Sequence, residues 1–240
     1  MTVSNNSLGR LSFGPTAGKV VMDGLVLYAD VANRRSYVGG GTTWSDLSGQ
    51  GNDFTIVGSV AFNEKYFTLN GSTSQYVQAN PFPHPTGDFT IELYERINTF
   101  NNTPLYSYAV SGDSNEGLLY APDGLIFIYG PSGGTSTGYT INSNQFYQIV
   151  RARKINEDTF EDILYVNGEK ITTRTTSEAA VTTTGGSLNV GQEQDSPGGG
   201  FDPTQTLNGD VAIVRVYNRT LSSEEINNNY DNTKSRFAGD

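Results

Sequence analysis

The residues best suited to metal chemistry are acidic side chains gathered in the C-terminal half of the chain. Residues 175–214 contain no Lys or Arg. The five acids of this stretch are Glu178, Glu193, Asp195, Asp202 and Asp210. Calcium takes six to eight oxygen ligands from carboxylates, amides and carbonyls. The glycines at 198–200 let the chain fold back, so that Asp202 and Gln205 can approach Glu193. The pattern fits either a calcium site or a solvated acidic loop.

Two further carboxylates, Glu92 and Glu95, raise the alternative of an enzyme. A retaining glycoside hydrolase needs two carboxylates on one face about 5 Å apart. Residues three apart on a regular strand point to opposite faces, so this pair does not meet the requirement. The chain has no Cys, and its single histidine, His84, lies among prolines and is predicted to be a loop residue. We therefore expect that the chain is not an enzyme, with glycoside hydrolysis as the less favoured alternative.

Short apolar segments separated by turns must position these groups. The 240 residues include 28 Gly, which indicates a chain with many turns. Residues 89–93 alternate and predict a strand with Phe89 and later Ile97 on one face. The continuous apolar run 125–129 predicts a strand buried on both faces. Asn167-Gly168 predicts the turn of a hairpin.

The remaining elements complete an all-β architecture. Residues 209–217 predict one more long strand. Ser222 followed by Glu225 forms a capping box, which predicts a short helix that ends near Asn229 or Tyr230. We expect an all-β fold, a two-sheet antiparallel β-sandwich (jelly roll) with one short C-terminal helix.

The pattern predicts one domain preceded by an arm. Residues 1–22 lack periodicity and form an N-terminal arm that is either disordered or used in assembly. Residues 23–240 form the sandwich. The net charge of −10 opposes binding to nucleic acid and to anionic membranes. Since the chain does not open on an apolar segment and has no apolar stretch of 18 residues, we expect neither a secretion signal nor a membrane span.

The acidic loop and the segments after it resemble the pentraxins. The matching segments before residue 206 are Gly185-Gly186-Ser187-Leu188, Gly191-Gln192-Glu193-Gln194-Asp195-Ser196, Phe201-Asp202 and Gln205. The matching segments after it are Leu207-Asn208-Gly209-Asp210-Val211 and Leu221-Ser222-Ser223-Glu224-Glu225-Ile226. The resemblance is most specific over residues 185–230 and continues in register over 89–170. It implies a pentraxin/laminin-G-like, concanavalin A-like fold.

The resemblance also implies the ligands of a calcium site. In the pentraxins two calcium ions lie side by side on one face of the sandwich. Glu193 and Asp195 would ligate through their carboxylates, and Gln194 through its backbone carbonyl. The outer ion would be held by Asp202, where the family usually has Glu, and by Gln205.

An Asp-Asn pair from an earlier hairpin completes the site in that family. Asn115 matches the Asn, but Ser114 stands where the Asp is expected. Either Asp113 substitutes after a small backbone shift, or one ligand is lost. We expect one or two calcium ions, and one is better supported than two. The family's disulfide is absent because the chain has no Cys.

The N-terminal half is similar to a different group of domains. Residues 24–30 and 43–52 resemble the opening of laminin-G-like domains that occur in structural proteins of tailed bacteriophages. We therefore expect a calcium-binding, lectin-like virion structural protein, a decoration or fibre-associated protein that binds glycan or phosphorylated surface ligands. The alternative is a purely structural decoration protein in which calcium only stabilises the loops.

This interpretation predicts the binding partners of the protein and its location. The partners would be a surface glycan or phosphorylated ligand and other virion proteins, bound through residues 1–22, with a homo-oligomer as a further alternative. The place would be the virion, assembled in the host cytoplasm, or otherwise the extracellular space.

Overall fold

The computed structural model describes residues 19–110, 113–130, 133–177 and 184–239, with the backbone alone for 113–117. Two antiparallel sheets of eight strands each pack face to face, which confirms the predicted all-β sandwich. The first sheet contains β1 (Leu25–Asp30), β4 (Ala61–Asn63), β5 (Tyr66–Asn70), β7 (Phe89–Thr99), β12 (Phe146–Asn156), β13 (Thr159–Val166), β14 (Glu169–Thr176) and β16 (Asn208–Tyr217). The second contains β2 (Thr43–Trp44), β3 (Phe54–Val57), β6 (Tyr76–Phe82), β8 (Thr103–Val110), β9 (Asp113–Ala121), β10 (Leu125–Gly130), β11 (Gly133–Thr140) and β15 (Gly186–Val190).

Alternate residues of the strands fill the space between the sheets. In β7, Phe89, Ile91, Leu93 and Ile97 belong to the main core cluster, which confirms the predicted alternation. The same alternation in the second sheet buries Leu188 and Val190 of β15. Their neighbours in sequence therefore point to the outer face of that sheet.

The run 125–129 forms β10, but it is not buried on both faces as its sequence predicts. Ile126 and Ile128 lie in the core, whereas Leu125, Phe127 and Tyr129 are partly exposed. The prediction was wrong because β10 is next to the edge strand β11 of the second sheet, where its outer face is open. Phe127 and Tyr129 thus contribute aromatic rings to an outer surface.

The predicted hairpin is confirmed, with β13 and β14 joined by a turn in which Asn167 and Gly168 have φ angles of +52° and +82°. A side chain at Gly168 would meet Asn227 Oδ1 at 2.7 Å. This turn therefore lies against the C-terminal helix.

The predicted helix, α1 (Ser223–Asp231), has the expected capping box, and it ends one residue beyond Tyr230. It packs on the outer face of the first sheet, and the described end of the predicted arm runs beside it. Asn229 Oδ1 accepts from Val21 N at 2.8 Å, and Asn228 Nδ2 donates to Lys19 O at 2.9 Å. Within the described residues, no helix is long and apolar enough to cross a membrane. Residues 1–18 of the arm lie outside the described residues.

Candidate functional site

The acidic loop follows β15 and closes on itself at its base. Gln192 and Thr206 form an isolated antiparallel bridge, and Leu207 N donates to Gly191 O at 3.0 Å. Gly191 has a φ of +94°, and a Cβ there would lie 2.3 Å from Leu69. A glycine is therefore required where the loop leaves the strand.

A buried glutamine fastens the loop to the sheet below. Gln194 Nε2 donates to Ser187 O at 2.8 Å and to Ser107 O at 3.2 Å. Gln194 Oε1 accepts from Gly198 N at 2.8 Å. Because the side chain is used within the protein, the backbone carbonyl of Gln194 is the oxygen that this residue can offer to a metal ion.

The floor under the loop is polar and buried. Ser107, Ser187 and Asn189 are all inaccessible to solvent. Gln78 Nε2 donates to Ser187 Oγ at 3.0 Å and to Asn189 Oδ1 at 3.1 Å. These side chains lie on the outer face of the second sheet, because their neighbours in each strand lie in the core. The loop thus covers a hydrogen-bonded polar patch.

Some polar atoms of this floor are not used in hydrogen bonds within the described protein. Asn189 Nδ2 and both side-chain atoms of Gln192 are buried and have no hydrogen-bond partner within the described residues. Buried polar atoms of folded proteins nearly always bond to protein, water or an ion. Asn189 Nδ2 and Gln192 Nε2 are donors and suit bound water, whereas Gln192 Oε1 is an oxygen of the type that calcium prefers.

Glu193 and Asp202 carry the negative charge of the site. Glu193 is 2% exposed. Asp202 Oδ1 accepts from Thr204 N at 2.7 Å and from Thr204 Oγ1 at 2.8 Å, and these bonds lower the pKa of Asp202. Gln205 Nε2 lies 3.4 Å from Asp202 Oδ2, so Asp202 and Gln205 are in contact.

Tyr120 links these two carboxylates to an aromatic surface. Burial, then the nearby Tyr129, and then the charges of Asp202 and Glu193 raise the pKa of Tyr120 to about 12. The rings of Tyr120 and Tyr129 meet edge to face, with centroids 5.8 Å apart. Phe127 pairs with Tyr120 across β9 and β10. An aromatic strip thus lies beside the acidic loop on the same outer face.

The other predicted ligands are placed differently. Asp195 is exposed, and its Cβ would lie 2.7 Å from a side chain at Gly200. Asp113 and Asn115 lie on the first residues of β9, where Asp113 pairs with Val110 across the hairpin. Their side chains lie outside the described residues. In the described part of the chain, no group of three or more His, Cys, Asp or Glu side chains is close enough to hold a metal ion.

The loop therefore brings Glu193, Gln194, Asp202 and Gln205 into one folded unit. Sequence reasoning missed the floor residues Gln78, Ser187 and Asn189, and it missed Tyr120. The alternation of polar and apolar residues in β15, Ser187-Leu188-Asn189-Val190, was the signal that could have identified two of them.

The pair Glu92 and Glu95 is split between two environments, as the strand geometry predicts. Glu92 Oε1 accepts from Arg215 Nη1 at 2.8 Å and from Gln148 Nε2 at 2.7 Å beneath α1. Glu95 shares the face of Leu93 and Ile97 in the core. Its carboxylate oxygens have no hydrogen-bond partner among the described residues.

The chain has pentraxins among its relatives. It is 28% identical to the C-reactive protein of Rattus norvegicus over 145 residues, which are 60% of this chain and 62% of that protein. The chain thus spans under two thirds of the length of this relative. A heptameric SAP-like pentraxin from Limulus polyphemus has a TM-score of 0.54 at 18% identity, covering 72% of this chain and 79% of that one.

Structures of enzymes show the same fold. Trypanosoma rangeli sialidase has a TM-score of 0.63 at 17% identity, covering 90% of this chain and 34% of the sialidase. Domain 4 of AbnA, a GH43 extracellular arabinanase from Geobacillus stearothermophilus in complex with arabinotriose, has a TM-score of 0.64 at 14% identity, covering 86% and 98%. The expectation that the chain is not an enzyme is contradicted by these matches, because the same fold occurs within a sialidase and an arabinanase.

The comparison with protein families covers both the acidic loop and most of the two sheets. Residues 70–227 match the model Laminin_G_3, described as the concanavalin A-like lectin/glucanases superfamily. The matched stretch contains β6 to β16 and the capped start of α1. The chain therefore belongs to the concanavalin A-like lectin/glucanases superfamily.

Proposed function

We propose that the chain is a calcium-binding, lectin-like protein that captures glycan or phosphorylated ligands at the loop 191–205. Membership of the superfamily supports a role in binding carbohydrate or another ligand. The observation that carries the proposal is the folded acidic loop itself, which Gln194 fastens over a buried polar floor. Two carboxylates and an aromatic ring share one outer face above this floor.

The residues that would hold calcium are Glu193 and Asp195 through carboxylates, Gln194 through its backbone carbonyl, and Asp202 with Gln205. Asp113 and Asn115 are the proposed ligands from β9. When bound, calcium supplies open coordination positions for phosphate, carboxylate or vicinal hydroxyl oxygens. The hydrogen bonds of Gln194 to the sheet fix the loop in advance, which lowers the entropic cost of binding.

The aromatic strip would give the site a second point of contact. Tyr120, Phe127 and Tyr129 are partly exposed, and aromatic rings pack well on the apolar face of a sugar. Calcium-dependent contact at one end and stacking at the other would favour a sugar with both a polar edge and a flat apolar face. Because calcium and the aromatic strip would contact different parts of one sugar, we prefer a glycan-binding role to a role in which calcium only stabilises the loops.

Calorimetry tests the calcium part of the proposal. Protein stripped with EDTA is titrated with Ca²⁺, and its melting temperature is recorded with and without the ion. We expect heat of binding and a higher melting temperature, since an ion that binds the folded state alone stabilises it. No heat together with an unchanged melting temperature would rule out the site. A glycan array with and without Ca²⁺ then tests the ligand.

We also propose a setting in a tailed-bacteriophage particle, assembled in the host cytoplasm, with attachment to other virion proteins through residues 1–22. Support comes from the resemblance of residues 24–30 and 43–52 to the openings of phage structural domains. Deletion of residues 1–22 should abolish incorporation into particles, and unchanged incorporation would show that the arm is not the anchor. Sedimentation of the full chain tests whether it forms a homo-oligomer, as the heptameric pentraxin does.

A further inference from the structure

A cavity lies on the opposite side of the sandwich from the acidic loop. Its volume is about 570 Å³, within the range of about 300–1,000 Å³ that is usual for small-molecule sites. Tyr94, Phe146 and Gln148 contribute from the first sheet, and Tyr230 and Phe237 from the C-terminal segment. Tyr94 and Gln148 flank core residues of their strands and so point outward, toward α1.

The apolar part of the cavity consists of aromatic rings in fixed positions. The centroids of Phe146 and Phe237 are 4.6 Å apart, and those of Tyr94 and Phe237 are 5.7 Å apart and stacked. Arg96 lies over the Phe146 ring at 4.8 Å. Phe146 and Tyr230 are partly exposed. Because Arg96 and Phe237 both lie against the Phe146 ring, the apolar surface left for a ring-shaped ligand is the edge of Phe146 and the partly exposed Tyr230 ring.

In two side-chain amides of the lining, Asn167 and Gln145, the oxygen accepts a hydrogen bond within the protein and the nitrogen donates none to a described residue. Asn167 Oδ1 accepts from Gln148 N at 3.0 Å, and Gln145 Oε1 accepts from the Tyr147 hydroxyl at 3.0 Å. These bonds orient both amides. Asn167 Nδ2 and Gln145 Nε2 have no hydrogen bond to any described residue, and nitrogen of an amide donates. A ligand with acceptor oxygens would satisfy them.

The charge of the lining is positive in an otherwise acidic protein. Lys234 lines the cavity, and no acidic residue does so within the described chain. Asp231, outside the lining, holds the Lys234 ammonium at 2.6 Å, and the ammonium lies 5.1 Å from the centre of the Tyr230 ring. The ammonium keeps further N–H groups for a carboxylate, since it has three.

We propose that this cavity binds an acidic sugar, a pyranose ring that carries a carboxylate. The ring would pack on Tyr230 and against the edge of Phe146, its hydroxyl oxygens would accept from Asn167 and Gln145, and its carboxylate would pair with Lys234. The site requires no metal ion, and it lies on the other sheet from the calcium loop. It is therefore independent of the proposed function.

Titration of the full chain in EDTA tests this site without the calcium loop. Glucuronate and glucose, at matched ionic strength, are added to isotopically labelled protein while backbone NMR shifts are recorded. We expect saturable shifts at Asn167, Gly168 and Phe237, with glucuronate binding about fivefold more tightly than glucose, the size of an exposed ion pair. Absence of saturable shifts at these residues, or equal affinity for the two sugars, would overturn the proposal.

Matched variants identify the charged contact. Lys234→Gln should reduce the affinity for glucuronate to that for glucose. Lys154 is an exposed lysine eight residues beyond Phe146 on β12. Lys154→Gln should change the affinity for neither sugar. Equal losses in both variants would show a general charge effect and sink the assignment. Asp195→Asn alters the acidic loop and should leave glucuronate binding intact, so failure of the calcium proposal and failure of this one are distinguishable.

Discussion

Gln194 Nε2 donates to the main-chain oxygen of Ser187 at 2.8 Å, so the acidic loop is bonded to the strand that precedes it. The residue between two proposed ligand carboxylates is therefore a structural anchor. A loop held this way keeps Glu193 buried.

Gln194→Met should destabilise the protein by about 2 kcal/mol, because it removes the buried hydrogen bonds of Gln194 to Ser187 O, Ser107 O and Gly198 N. Urea denaturation measures the change. Gln50→Met, at an exposed position, is the control and should be neutral. Equal stability of the Gln194 variant and the wild type would mean that the loop is not fastened as described.

Replacement of the core carboxyl should change how stability depends on pH. Burial raises the pKa of Glu95 well above its ordinary value. The stability associated with the neutral carboxyl is complete below the pKa of the unfolded chain and is lost as pH rises toward the folded pKa. Glu95→Gln should therefore be more stable than the wild type at pH 7, and the two should converge toward pH 4.

Denaturation of both proteins between pH 4 and pH 8 measures this difference, and Glu169→Gln at an exposed strand end is the control. Parallel stability curves for the wild type and Glu95→Gln would show that Glu95 is ionised in the folded protein.

The single histidine should stay neutral far below its usual range. Burial, opposed by the hydrogen bond to Pro85 O and reinforced by the charge of Arg151, lowers the pKa of His84 to about 4. The unfolded chain binds this proton near pH 6.5. Stability contributed by His84 is therefore present above pH 6.5 and is lost as pH falls toward 4, by about 3 kcal/mol in all.

NMR titration of the imidazole measures this pKa directly, because the chain has one His. The resonances should keep the shifts of the neutral ring down to about pH 5. A midpoint near pH 6.5 in the folded protein would contradict the buried position of the ring.

Local signals in the sequence were sufficient for most of the fold. Alternation in β7, the Asn167-Gly168 turn and the Ser222 capping box each act within a few residues, and each predicted element is present. His84 was predicted as a loop residue, and its loop folds inward, where the ring packs on Phe89 and Tyr108 at 4.9 and 4.7 Å. Contacts of this kind join distant residues and leave no local pattern.

The same reason limits what the sequence reveals about the site. The spacing of acids in 193–205 marks the loop, but its anchor joins Gln194 to Ser107, 87 residues away. The floor bond from Gln78 to Asn189 spans 111 residues. Tyr120 belongs to the site because β9 and β15 both pair with β8, an order that no local spacing encodes.

Calcium binding and sugar stacking should be separable at the acidic loop. Tyr120→Leu removes the ring beside Asp202 and should weaken a calcium-dependent glycan by about tenfold, the value of a lost aromatic contact of about 1.4 kcal/mol. The heat of calcium binding should be unchanged, because the ring supplies no carboxylate. Asp202→Asn should weaken calcium and, with it, the calcium-dependent glycan, since it removes an ionised ligand whose pKa is already lowered by Thr204. Calorimetry of both variants, first with Ca²⁺ and then with a glycan bound by the wild type, measures the two effects, with the exposed Asp158→Asn as the control. Loss of calcium binding in Tyr120→Leu would mean that the ring supports the loop rather than the ligand.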